Sequence, residues 1–169
     1  MKEHEIVNRV TNSGLITLDL KDYYPKGERV FYDIKNNLWQ ELVLKEKEFR
    51  AFIKENNWSI YQDKYVALDC STDAIVPSWA YLLLTIALEP YAKKVVKGNL
   101  ETLELLLFQE LIENLDLAPY KDQRVIIKGC SDLPIPENAY VQMIQKLKPE
   151  VKSLMFGEAC STVPLFKNK

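Results

Sequence analysis

Three cysteines are the residues of this chain best suited to chemistry, and each is followed by serine: Cys70-Ser71, Cys130-Ser131 and Cys160-Ser161. A thiolate is both a nucleophile and a ligand for soft metals. Three thiolates brought together would hold a zinc ion or an iron-sulfur cluster, for which metal-sulfur bonds run about 2.3 Å. Cys70 and Cys130 also stand just ahead of expected helix starts, where exposed amides favour thiolate over thiol. Asp69, Asp73, Asp132 and Glu158 lie beside the cysteines and could complete a ligand shell or hydrogen-bond to it. Ser71, Ser131 and Ser161 could do the same, or cap the amides of their own turns. No two cysteines are close in sequence, so a shared site depends on the fold.

Other chemistry has less support. The one histidine, His4, sits near the amino terminus, which argues against a histidine-rich zinc site and against a Ser-His-Asp triad. The five glycines are scattered and form neither a phosphate-binding loop nor a dinucleotide fingerprint. No Cys-x-x-Cys redox pair is present.

The elements that would position the thiols follow from apolar patterning. Leu15–Leu20 and Arg29–Ile34 read as strands, and Lys45–Asn57 as a helix with Phe49, Phe52 and Ile53 on one face. A short helix is expected over residues 5–12, closed by Gly14. From Lys64 onward, strand-length apolar runs at Tyr65–Leu68, Lys94–Val96, Arg124–Ile127 and Ser153–Phe156 alternate with longer helical ones. Those helices are expected at Pro77–Leu88, Leu100–Leu115 and Pro136–Leu147. Unbroken apolarity in the strands suits a parallel sheet covered on both faces.

The chain also resembles itself. Pro77, Tyr81, Leu88, Pro90 and Gly98 fall without a gap on Pro136, Tyr140, Leu147, Pro149 and Gly157. A one-residue gap upstream puts Cys70-Ser71 on Cys130-Ser131. The expected fold class is therefore α/β, a Rossmann-like open and mainly parallel sheet made of two repeated β-α-β units, with an N-terminal α+β extension. Right-handed crossovers favour strand order 2-1-3-4, which would set the Cys70 and Cys130 strands side by side at a switch point and Cys160 on the next strand. The organisation predicted is one domain over residues 1–169, with a strand and helix subdomain at 1–60 and the duplicated core at 64–169.

A chain of 169 residues that is 47% hydrophobic and 27% charged can bury a full core. Its net charge of -2, with no concentrated basic face, argues against nucleic acid as partner. No apolar run approaches membrane-spanning length, and the charged amino terminus lacks a secretory core, so a cytoplasmic protein with reduced thiols is expected. The apolar stretch Leu105-Leu106-Leu107-Phe108 reads as core or as a homodimer face.

Several stretches together resemble the uncharacterised Bacteroidetes family DUF2480: Asp22-Tyr23-Tyr24-Pro25 with Gly27-Glu28-Arg29, Tyr61–Leu68, Val125–Ser131 and Gly157–Leu165. The resemblance covers nearly the whole chain, and the last two stretches are its most specific. It implies an accessory role in iron-sulfur cluster assembly, with the assembly proteins as partners, and identifies no residue's role. The leading expectation is thus a binding protein, not an enzyme, in which Cys70, Cys130 and Cys160 ligate a zinc ion or an iron-sulfur cluster. Two alternatives stay open: a thiol enzyme or persulfide carrier with one activated cysteine, and a non-catalytic structural or interaction protein with packed cysteines.

Overall fold

A computed structural model describes residues 14–129, 131–158 and 161–168. In chain order the elements are β1 (Leu15–Leu18), β2 (Arg29–Asp33), α1 (Glu46–Glu55), β3 (Tyr65–Asp69), α2 (Ser78–Leu88), β4 (Lys94–Lys97) and α3 (Leu100–Asn114). They continue with β5 (Arg124–Ile127), α4 (Glu137–Leu147), β6 (Ser153–Glu158) and β7 (Ser161–Lys167). The α/β class and the parallel strands expected from the apolar runs are present. The helix expected over residues 5–12 lies outside the described residues, while Gly14 adopts φ 62°.

The strands form two sheets, ordered β1-β5-β6-β7 and β2-β3-β4, with every pairing parallel except β6 with β7. This corrects the single sheet of order 2-1-3-4. A strand has two hydrogen-bonding edges, and β3 uses both: β2 pairs from Arg29↔Tyr65 to Asp33↔Asp69, and β4 from Tyr65↔Lys94 to Leu68↔Lys97. β5 is filled in the same way by β1 and β6. Neither central strand has an edge left for the other. The N-terminal strands are therefore not an extension but outer members of the two sheets.

The chain divides into two compact units, Met1–Pro25 with Leu107–Lys169, and Lys26–Leu106. Each carries the same local architecture, spaced as Tyr81 is from Tyr140. Asp63 and Asp122 both take positive φ, 59° and 57°, and donate their amides to Tyr91 O at 2.9 Å and Glu150 O at 2.7 Å. Pro77 and Pro136, each with φ near -62°, stand one residue before their helices, and their carbonyls accept from Ala80 and Ala139 at 3.0 and 2.9 Å. Ala80, Leu84 and Leu88 of α2 are buried, as are Ala139, Met143 and Leu147 of α4. Both helices thus press an i, i+4, i+8 stripe onto the strands.

The second unit's core also holds Ile34, Phe49, Trp58, Val66 and Leu68. That of the first holds Leu18, Leu20, Phe108, Val125, Ile127 and Leu154. In α1, Glu46 and Arg50 form an i, i+4 pair at 2.9 Å. No helix among the described residues is long and apolar enough to cross a membrane.

Candidate functional site

The second unit displays Cys70 at the carboxyl end of its central strand, the edge at which open α/β sheets take ligands. Two aspartates fix the loop that carries it. Asp69, the last residue of β3, accepts the Cys70 amide at 2.8 Å and the Lys97 ammonium at 2.6 Å. Asp33, its register partner on β2, accepts the Ser71 amide at 3.0 Å and the Ser71 hydroxyl at 2.5 Å. Asp33 also caps the turn after its own strand, accepting from the Lys35 amide at 3.1 Å. On the far side of the thiol, Thr72 Oγ1 lies 3.3 Å from Cys70 Sγ and donates to Glu41 O at 3.3 Å.

These interactions set the electrostatics. Burial by itself would raise the Asp33 carboxyl, but the hydrogen bonds from Ser71 and Lys35 outweigh it and hold the group below its ordinary value. At Asp69 burial is outweighed in the same way, by Lys97 and the Cys70 amide. Lys97 also lies over the Tyr81 ring, 4.8 Å from its centroid. Burial, then the negative charges of Cys70, Asp69 and Asp33, push the Tyr81 phenol up to about 12.

Asp69, Cys70, Thr72, Tyr81 and Lys97 line one pocket of about 500 Å³, with Val76 among its apolar walls. The half-buried thiol therefore opens onto a cavity and is not sealed in hydrocarbon.

The first unit has the corresponding pocket, about 420 Å³, lined by Gly129, Ser131, Leu133, Ile135, Glu137, Tyr140 and Phe156. Every one of these residues is the repeat counterpart of a residue lining the Cys70 pocket, so both copies keep the cavity. Its contents differ. Phe156 replaces Lys97 and meets Tyr140 edge to face at 5.5 Å, while Gly129 stands where Cys70 does. A Cβ on Gly129 would come within 2.7 Å of the Phe156 ring, which is why that place carries no side chain.

This comparison corrects the gapped alignment. Strand start and helix start are equally far apart in both units, Tyr65 from Ser78 and Arg124 from Glu137, so by count along the chain Cys130 corresponds to Ser71 and not to Cys70. Cys130 and Cys160 themselves lie outside the described residues. β6 does pair with β5, as expected for the strand that leads toward Cys160, but it turns back into β7, an edge strand that the sequence reading missed.

The remaining predicted residues are accounted for individually. Ser71 donates to Asp33, and Asp73 is exposed with no partner among the described residues. Ser131 Oγ accepts the Leu133 amide at 3.1 Å, the turn-capping role expected of it. Asp132 pairs with Lys21, whose hydrogen bond lowers its pKa. Glu158 faces Ser161 across the β6–β7 ladder. Among the described residues no three His, Cys, Asp or Glu side chains are grouped so as to hold a metal ion.

The sequence reading also missed Asp33, Lys97 and Thr72. Asp33 had a signal, because Asp33-Ile34-Lys35 repeats Asp19-Leu20-Lys21 at the end of the equivalent strand.

The profile of the family described as Protein of unknown function (DUF2480) matches residues 4–168. The chain belongs to DUF2480. No curated protein and no solved structure matches it. For this DUF2480 member, the functional argument therefore comes from its own residues.

Proposed function

We propose that this protein binds a soft metal ion or an iron-sulfur cluster through thiolate, with Cys70 as a ligand, and acts as an accessory factor to proteins that assemble such clusters. The observation that carries the reading is Cys70 itself, a half-buried thiol opening into a pocket at the carboxyl end of a parallel strand. Zinc and iron-sulfur clusters both take thiolate ligands, and a loop already held by Asp33 and Asp69 has little conformational freedom left to lose on binding. Such a role belongs in a reducing, cytoplasmic compartment.

Anaerobic purification followed by metal and acid-labile sulfide analysis tests the proposal. Wild type is expected to carry bound metal, Cys70→Ser to lose most of it, and the triple Cys70→Ser/Cys130→Ser/Cys160→Ser variant to lose all of it. Equal, negligible metal in all three overturns the reading.

A second reading, a thiol enzyme or persulfide carrier, is favoured by Lys97 and the Thr72 hydroxyl sharing the pocket with the thiol. It predicts alkylation of Cys70 faster than that of free cysteine, and an equal or slower rate removes it.

A further inference from the structure

The opposite end of the first unit's sheet carries a cavity of another kind, which uses no cysteine. β7 has no counterpart in the second unit, whose sheet ends at β4. Where β7 joins β6 the register shifts: Leu154 faces Phe166 but Met155 faces Pro164, leaving Leu165 as the extra residue of a bulge. Pro164 has no amide to donate, and a bulge bends its strand, so the hairpin curls at this point. A cavity of about 440 Å³ results, with Leu154, Met155, Pro164 and Phe166 contributing apolar wall. This volume lies in the range of small-molecule sites, about 300–1,000 Å³.

Its remaining lining is basic. Arg124, Lys152 and Lys167 border the cavity, and no acidic residue does. Neither the Lys152 nor the Lys167 ammonium has a carboxylate partner among the described residues. A fourth cation, Lys148, lies 5.6 Å from the centroid of Phe166. Elsewhere in this unit Lys21 is matched with Asp132 and Lys128 with Asp19, while Lys146 donates to the backbone carbonyls of Ile112, Glu113 and Leu115.

We propose that this pocket binds a small amphipathic anion, a molecule with one carboxylate or phosphate head and a compact apolar body. The uncompensated ammonium groups select for negative charge, and the apolar wall selects against a bare inorganic ion.

The experiment uses the full chain and the fluorescent probe 8-anilinonaphthalene-1-sulfonate, itself an anion with an apolar body. Wild type is expected to bind it saturably, and octanoate or octyl phosphate to displace it at concentrations where octanol and inorganic phosphate do not. Displacement by only one of the two anions identifies its head as the recognised one. The Lys152→Glu/Lys167→Glu variant, shown by circular dichroism to be folded, is expected to bind the probe about tenfold or more weakly. Phe166→Ala weakens binding through the wall instead of the charge, and Lys152→Gln/Lys167→Gln is the milder charge variant should reversal disturb folding. Wild-type affinity in the folded charge variants, octanol competing as well as octanoate, or no saturable probe binding each overturns the proposal.

Discussion

At the carboxyl edge of the second unit two aspartates, Asp33 and Asp69, sit opposite each other on paired strands, and between them they hold the Cys70 loop. The counterparts in the first unit are Asp19 and Lys128, which form an ion pair at 3.2 Å. Asp19 thus pairs with a lysine where Asp33 holds a loop serine, and Ser131, the counterpart of Thr72, accepts the Leu133 amide. The same replacement of charge recurs across the pocket, where Lys97 becomes Phe156. One backbone frame thus carries one cavity that holds a thiol and a lysine and another bordered by an aromatic pair. The two units share the geometry of the pocket, and a few side chains set its chemistry in each.

The largest expected effects test whether the two frames are equally dependent on their cores. Leu84→Ala and Met143→Ala remove fully buried counterparts from α2 and α4, and each is expected to cost about 3 kcal/mol in urea unfolding. A change below about 1 kcal/mol for either would break the equivalence.

Gly98 and Gly157 sharpen it. Both have positive φ, 141° and 121°, but a Cβ at Gly157 would meet the Ser161 backbone oxygen at 2.6 Å, whereas at Gly98 it would meet the Thr102 side chain. Gly157→Ala is expected to lower stability by about 2 kcal/mol, and Gly98→Ala by a comparable amount, because the nearest atom there, Thr102 Cβ at 2.8 Å, stays in place when the side chain rotates.

Asp33→Ala removes the acceptor of two Ser71 hydrogen bonds and should cost about 1–2 kcal/mol while changing the rate at which iodoacetamide alkylates Cys70. Asp19→Ala should leave that rate unchanged. Identical alkylation rates in wild type and both variants would show that Asp33 does not position the thiol loop.

The pH dependence has a definite sign. The Asp33 carboxyl is held below its ordinary 3.8 in the folded chain, so its stabilising contribution is complete above that value and is lost as pH falls through the lower folded value. Asp33→Asn is therefore expected to be less stable than wild type at neutral pH, with the gap closing below about pH 3.8, as followed by urea melts.

The smallest effect is spectroscopic. Tyr81 should ionise at about 12 in an ultraviolet titration, with that component absent in Tyr81→Phe. Cys70→Ser should bring it lower, because the thiolate charge contributes to the shift.

Much of this was legible in the sequence because it is local. Pro77 and Pro136 mark helix starts through their fixed φ, and the stripe Ala80, Leu84, Leu88 recurs as Ala139, Met143, Leu147. The Cys70-Ser71 loop follows β3, the strand from which it was expected to leave. β7 was harder to read, since Pro164 interrupts its pattern and only an edge strand can carry a proline there.

Composition and periodicity by themselves determined the α/β class, the places of α1 to α4 and β1 to β6, and the existence of a repeat, because each is encoded within a turn of helix or a few residues of strand. Tertiary structure alone decided which strand takes which edge. Val66 and Val125 are fully buried apolar residues in either arrangement, so their apolarity does not say whether β2 or β5 lies beside β3. Backbone hydrogen bonds between distant segments settle that question, and with it the neighbours of Cys70: Asp33 from one adjoining strand and Lys97 from the other.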